Sequence, residues 1–366
     1  MSQRHAFVVR ALAAEEPFRA LCREFGISPT TGYKWLARAT EPGADLADRS
    51  RRPHTSPQQT PSEVEAQVLA LRTAHPAWGG RKLRQALRRQ GVDAVPAAST
   101  ITAILRRHER LVPSPRPQRD LVRFVAAVPN ALWQMDWLGY PRLPAGHVYP
   151  LTVLDDHSRC LLAVVACPDQ RLETVQAALT ALFRQNGLPQ RLLADNGPPW
   201  GAAGAGGLTA LEAWLLRLGI PVTHGRPRHP QTQGKLERAH RTLRAELPGS
   251  RAFPDLASAQ AAFDAWRHSY NHERPHEALA GAVPAERYCP SPRSFPETLP
   301  VLETAPGALV RKVFSPGRIS FRGQEHFVGW GLVGQSVAVR PTDTPQRFTI
   351  WYGPRLVTEI DLGHQP

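Results

Sequence analysis

The chain has 366 residues, enough for two or three domains, with 45 Lys and Arg against 31 Asp and Glu and a formal net charge of +14. The start of the chain carries no apolar signal segment, no apolar run approaches the roughly 18 residues that span a bilayer, and the four cysteines (Cys22, Cys160, Cys167, Cys289) form no CxxC pair. Secretion, membrane insertion and a disulfide framework are thereby excluded as expectations, and a cytoplasmic protein with reduced cysteines is expected.

The charge is uneven. Residues 1–120 hold 20 basic and 11 acidic residues. A basic N-terminal third points to a polyanion, most simply nucleic acid. A genomic bias toward arginine explains why only four of the cations are lysine, but not the excess over acid.

Residues 1–40 read as helix, short helix, Gly26 turn and a further helix capped by Ser28, which is the helix-turn-helix pattern. The last helix would lead into the major groove with Thr30, Thr31, Tyr33, Lys34 and Arg38, while Trp35 and Leu36 fit a core. Residues 41–60 are rich in Pro, Ser and Arg and form a linker. Its Arg49, Arg51 and Arg52 either track phosphates or belong to a solvated tether. Residues 61–112 repeat the organisation with three helices, over PSEVEAQVLALRTAH, WGGRKLRQALRRQG and ASTITAILRRH. The middle one is strongly basic, and Arg81, Lys82 and Arg84 are its candidate DNA contacts. Residues 113–127 form a second linker.

From 128 to 290 the rhythm is three strands, helix, strand, helix, strand and further helices, with the first three strands as an antiparallel meander. That is the order of a ribonuclease-H-like α/β core with a mixed five-stranded sheet flanked by helices. Residues 291–306 are a Pro-rich linker. Residues 307–366 alternate apolar and polar positions in five short segments with Gly turns, which predicts a small β-barrel. The expected whole is a multidomain α/β protein with two N-terminal helix-turn-helix units, this core and the barrel.

Three carboxylates stand out: Asp136 in a strand (LWQMDWLGY), Asp195 at the end of another (RLLADNG) and Glu237 early in a helix (QTQGKLERAHRTLRAEL). Cutting and joining phosphodiesters needs an activated oxygen nucleophile and a stabilised leaving oxyanion. Two divalent ions about 3.5–4 Å apart supply both, and magnesium takes hard carboxylate oxygens. Gln233, Glu237 and Arg241 share one helix face, flanked by Lys235 and Arg238, so Gln233, Lys235, Arg238 and Arg241 are candidate substrate contacts. Each could equally belong to a solvated basic face. Asn196 and Gly197 make a sharp turn beside the metal. Asp155 and Asp156 read as a hairpin turn, with a metal role as the alternative. Asp169 and Glu173 read as a helix start, Glu212 as a surface helix residue and Asp264 as structural. His224, His229 and His240 have no metal-ligand spacing. The stretch from Asn271 to His276 reads as a helix cap and chain turn.

LWQMDWLGY, PLTVLDDHSR, LLADNGPPWG, HGRPRHPQTQGKLERAHRTLRAEL and YNHERPHEAL resemble the integrase catalytic core of bacterial insertion-sequence transposases, in the DDE superfamily, with retroviral integrases as more distant relatives. The resemblance covers residues 128–290. It implies metal-dependent cleavage at element ends and strand transfer into target DNA, with Asp136, Asp195 and Glu237 as the catalytic and metal-holding residues. It further implies two Mg2+ ions per site with Mn2+ as a substitute, double-stranded DNA (terminal inverted repeats and target) as partner, and at least a dimer while two ends are held together. A bacterial, nucleoid-associated setting follows. The 41 residues between Asp195 and Glu237 exceed the family's common spacing; the surplus falls in PPWGAAGAGGL, where a loop can lengthen. A non-catalytic DNA-binding repressor and a nuclease for RNA–DNA hybrids are the rival readings. The three intact carboxylates argue against the first, and two duplex-reading units against the second.

Overall fold

The computed structural model describes residues 3–41, 46–48, 59–111, 124–139, 141–144, 146–201, 207–225, 234–247, 252–304 and 307–363. The candidate residues Arg49, Arg51, Arg52, His229 and Gln233 lie outside them. The chain divides into two compact units, Met1–Gln59 and Thr60–Pro366.

In the first unit α1 (Gln3–Ala13), α2 (Phe18–Glu24) and α3 (Pro29–Ala39) surround Phe7, Val8, Leu21 and Cys22. Ser28 caps α3 by accepting from the Thr31 amide at 3.2 Å, with Pro29 at the first helical position. Gly32 is where α3 meets the other helices. A Cβ there would lie 2.8 Å from the Phe7 ring and 2.9 Å from both Cys22 Sγ and the Phe18 ring.

The second unit opens with α4 (Ser62–Ala74), α5 (Gly80–Arg89) and α6 (Ala98–Arg107), packed around Val68, Trp78, Leu83, Leu87, Ile101, Ile104 and Leu105. Gly80 lets α5 approach α6, since a Cβ would sit 2.5 Å from the Ala98 carbonyl oxygen.

The central sheet is built from β1 (Trp133–Trp137), β4 (Tyr149–Asp155), β5 (Leu161–Cys167), β6 (Leu192–Ala194) and β7 (Val222–His224). A two-residue hairpin, β2 (Arg142–Leu143) with β3 (Gly146–His147), lies between β1 and β4. The strand order is β5-β4-β1-β6-β7, antiparallel through β5, β4 and β1 and parallel from β1 to β6 to β7. This is the ribonuclease-H-like arrangement that the element order predicts. One face of the sheet is covered by α7 (Leu172–Asn186) and α8 (Ala210–Arg217), through Val175, Leu179, Phe183, Leu211 and Leu215. The other is covered by α9 (Gly234–Glu246) and α10 (Leu256–His272), through Leu236, Ala239, Leu243, Phe263 and Trp266. The α7 helix stops at Gly187, whose φ of +72° a glycine adopts without strain. The α10 helix ends three residues before Pro275, and Asn271 does not cap it. Its side chain is buried and bonds both backbone groups of Leu161, pinning β5.

Among the described residues the C-terminal region has six strands rather than five. The segment GRISFRGQEHFVG folds as a hairpin, β9 (Arg318–Phe321) with β10 (Gln324–Phe327), because Arg322-Gly323 turns the chain with positive φ at both residues. The strands β8 (Leu309–Lys312), β11 (Ser336–Pro341), β12 (Arg347–Tyr352) and β13 (Arg355–Asp361) form a four-stranded antiparallel sheet in the order β13-β12-β11-β8. Hairpin and sheet enclose one apolar core, Val313, Ile319, Phe321, Val337, Val339, Ile350 and Tyr352, which also takes in Leu208, Ala213 and Leu216 from the segment around α8. Thus α8 contributes to two cores. Its contact with this region is close: a Cβ on Gly331 would fall 2.3 Å from the Leu208 carbonyl oxygen.

Candidate active site and nucleic-acid interface

The three candidate carboxylates come from neighbouring elements. Strands β1 and β6 pair in parallel with Trp133 opposite Leu192 and Gln134 opposite Leu193. Continuing that register sets Asp136 beside Asp195, the first residue past β6. Helix α9 runs alongside β1 in the same direction. The Leu236 amide donates to Gln134 Oε1 at 3.3 Å, and Arg244 donates to the Leu138 carbonyl. Between them, His240 Nε2 donates to Thr152 Oγ1 at 2.7 Å, and that hydroxyl donates to the Asp136 carbonyl at 2.7 Å. Four helical residues rise about 6 Å and two strand residues about 6.6 Å, so helix and strand keep step. Glu237 is thereby held at the level between Gln134 and Asp136.

The electrostatics agree with this placement. Burial first, and then the charges of Asp195 and Glu237, push the Asp136 carboxyl up to about 6 against an opposing hydrogen bond from the Trp137 amide. Asp195 and Glu237 are exposed, and Asp136 is half-buried. The two aspartate side chains are turned to protein donors. Asp136 Oδ1 accepts from the Trp137 amide at 2.7 Å, and Asp195 Oδ1 accepts from the Gly197 amide at 3.0 Å and the indole N–H of Trp200. Among the described residues no group of three or more His, Cys, Asp or Glu side chains is spaced to hold a metal ion. Trp200 is fully buried and stacks on Trp137 with centroids 5.2 Å apart. The sequence carries no signal for this contact other than an aromatic residue soon after the DNG turn.

The backbone around Asp195 is fixed from below. His224 Nδ1 donates to the Asp195 carbonyl at 2.7 Å, and His224 Nε2 donates to Glu212 Oε1 at 2.9 Å. Glu212 is not a surface residue. It is buried, because it closes the capping box of α8 with Thr209 and receives His224. Burial alone would raise its carboxyl, yet the bonds from His224 and Thr209 outweigh that and hold it below the usual range. The same bond to Glu212 raises His224. Asn196 donates to the Gly225 carbonyl at 3.2 Å, tying the turn to the end of β7.

Asp155 and Asp156 are both fully buried. Asp155 accepts from Ser158, through amide and hydroxyl, and from the Asn130 amide. Asp156 accepts from the Ala126 amide and from Gln134 Nε2, both at 2.7 Å, and pairs with Lys235. These bonds make the turn reading correct and revise the expectation for Lys235. Its ammonium lies against Asp156 inside the protein, with its side chain 17% exposed, rather than at a DNA-facing surface. Asp169 starts α7 by accepting from Thr174 and the Arg171 amide, and Asp264 pairs with Arg267 at 3.5 Å. Burial depresses His240 to about 3, so it is neutral.

Of the remaining basic candidates, Arg238 and Arg241 are exposed on α9. On α3, Thr30, Tyr33 and Lys34 are exposed and Thr31 and Arg38 half-buried. On α5, Arg81 pairs with Glu277 at 3.2 Å and Arg89 with Glu286 at 2.6 Å, so this helix lies against the segment that follows α10. Lys82 and Arg84 are half-buried at that junction.

This geometry, a ribonuclease-H-like sheet with acidic residues at the ends of its central strands and helix-turn-helix units ahead of it, defines an integrase-core protein of the polynucleotidyl transferase class. Two models described as integrase core domain match residues 126–230 and 218–284. Homeodomain-like and helix-turn-helix models match 31–105 and 6–54, and the C-terminal domain of the IS481 family of transposases matches 308–366. In these segments the chain is similar to insertion-sequence transposases with an integrase core. It is 27% identical over 234 residues to the insertion element IS407 uncharacterized 31.7 kDa protein of Burkholderia multivorans, covering 61% of this chain and 81% of that one. It is 26% identical over 241 residues to the insertion element IS476 uncharacterized 39.2 kDa protein of Xanthomonas euvesicatoria, covering 63% and 66%. Among solved structures, the catalytic core domain of BIV integrase is 27% identical, covers 43% of this chain and 92% of that one, and superposes with a TM-score of 0.34. Among the described residues no helix is long and apolar enough to cross a membrane.

Proposed function

We propose that the chain binds the terminal inverted repeats of its own element and performs metal-dependent donor cleavage and strand transfer at Asp136, Asp195 and Glu237. What supports this reading is that Asp136, Asp195 and Glu237 stand on neighbouring elements, β1, the end of β6 and α9. The Asp136 carboxyl, raised first by burial and then by the charges of Asp195 and Glu237, supports a cation as their partner, since hard carboxylate oxygens are the donors magnesium prefers. Two Mg2+ ions, or Mn2+ in their place, would be held by these three residues and would supply a polarised nucleophile and charge neutralisation at the leaving oxygen. The protein's own contribution is placement. Strand pairing fixes Asp136 against Asp195, and the α9–β1 register fixes Glu237. Trp200 gives Asp195 a donor to rest on, and His224 holds the backbone beneath it.

Binding would begin with the exposed N-terminal residues of α3 and the basic surfaces of α5 and α9. Thr30, Thr31, Tyr33, Lys34 and Arg38 are proposed to read or grip duplex DNA, and Arg238 and Arg241 to hold phosphates near the scissile bond. Two ends held together require at least a dimer during the reaction. The test is cleavage and joining of duplexes carrying the inverted repeats that flank the gene, with Mg2+ or Mn2+. Asp195→Asn or Glu237→Gln should abolish both steps; retention of either activity in both variants would sink the assignment.

A further inference from the structure

A cavity of about 380 Å3 lies between α5 and the turn after α10, lined by Arg81, Lys82, Arg84 and Arg88 on one side and His276, Glu277 and Ala280 on the other. Its charge is one-sided: four cations face one carboxylate, and that carboxylate is already paired with Arg81. Arg84 Nε is buried without a hydrogen-bond partner, and so is His276 Nε2. Two buried polar atoms lining one cavity, both unsatisfied, are uncommon in folded proteins and call for a group that satisfies them. Among the described residues Lys82 has no ion pair. Burial, together with Arg274 and Arg238, holds its ammonium down to about 8, so its surroundings favour an added negative charge. Arg81, Arg84 and Arg88 follow a spacing of three and four along α5, which places them in a row on one face. A row of cations fits a linear polyanion better than a single small anion.

We propose that this cavity seats a backbone phosphate of duplex DNA, gripped by Lys82 and Arg84 with Arg88 at its rim, so that the second helix-turn-helix unit and the core hold the strand jointly. The inference rests on the reading that the chain binds DNA. It makes α5 a backbone clamp, which positions the duplex without reading its sequence. Burial, with Arg274 and Lys82 nearby, holds His276 down to about 3, so the ring is neutral and donates to the anion from Nε2–H.

The test is the salt dependence of binding of the full-length protein to a short random-sequence duplex, followed by fluorescence anisotropy. Arg84→Ala should lower the slope of log K against log salt by about 0.9 and weaken binding about tenfold or more, equally for any sequence. Ala280→Asp, at a left-handed position that aspartate tolerates, should weaken binding by adding a carboxylate to the wall. Glu277→Gln should tighten it, an effect that a purely structural role for this junction would not produce. An unchanged slope in Arg84→Ala, or weaker binding in Glu277→Gln, overturns the proposal. Inorganic phosphate, compared with chloride at equal ionic strength, separates the sources of the anion. Displacement of DNA by phosphate alone would mark a free-phosphate site and overturn the backbone assignment. If the wild-type protein binds no duplex at low salt, this inference falls with the reading beneath it. If binding holds and only cleavage fails, the clamp stands and the catalytic reading falls.

Discussion

Replacing Lys235 with methionine should destabilise the core and leave the electrostatics of DNA binding unchanged. Asp156 is fully buried and holds three donors: the Ala126 amide, Gln134 Nε2 and the Lys235 ammonium. Methionine keeps the stem volume but strips the carboxylate of its only cationic partner among them. Breaking a buried pair by removing one charge costs about 3–5 kcal/mol. The two neutral donors that remain place the cost near the lower end, about 3 kcal/mol. For a unit the size of Thr60–Pro366, an unfolding entropy of about 2.1 cal/mol/K per residue gives about 0.6 kcal/mol/K, so Tm should fall by about 5 °C. Adding Asp156→Asn should recover most of the loss, because the uncompensated charge is then gone. Differential scanning calorimetry of the single and double variants measures both shifts, and the salt dependence of duplex binding runs beside it. An unchanged Tm with a salt slope lowered by about 0.9 would mean that Lys235 touches phosphate, and the reasoning would be refuted.

Three further outcomes are expected. Gly32→Ala should disorder the N-terminal helices, since overpacking costs about 1–3 kcal/mol in a small unit; hydrogen exchange should rise across 3–39 and stay unchanged across 60–304. Glu212→Gln should lower Tm most between about pH 4.5 and 6.5. His224, raised above its usual 6.5, contributes fully below that value and loses its contribution as pH climbs through the raised one, while Glu212, lowered below its usual 4.5, contributes above that value. A destabilisation that did not vary with pH would count against the ion pair. Glu237→Gln should bind element-end duplex without divalent metal as the wild type does, while cleaving it more than a hundredfold more slowly; a comparable loss of binding would point to a structural role.

Much of the core was legible because its signals are local. The strand and helix periodicities between 128 and 290 give the order of the sheet, and Asp136, Asp195 and Glu237 sit on the elements expected of them. What the sequence does not show is a partner far along the chain. Arg81 and Glu277 are 196 residues apart, and Lys235 and Asp156 are 79 apart. A sequence shows that a cation is present, but not whether a carboxylate distant in the chain will be folded against it. Glu212 misled for a related reason. As the third residue of α8 it looks solvent-facing until β7 delivers His224 to it. The β9–β10 hairpin was read as one segment because its turn, Arg322-Gly323, interrupts an otherwise continuous alternation.

The step-matching of α9 and β1 bears on how the gap between Asp195 and Glu237 can vary in length. One residue added between Leu236 and Arg244 would turn everything beyond it by about 100°. The contacts to Gln134, Thr152 and Leu138 could then not all be kept. Length can therefore vary only ahead of Gly234, in the connections outside α8 and β7, since β7 keeps its own register with β6. The 41 residues between Asp195 and Glu237 thus join connections that tolerate a change of length to a helix whose phase does not.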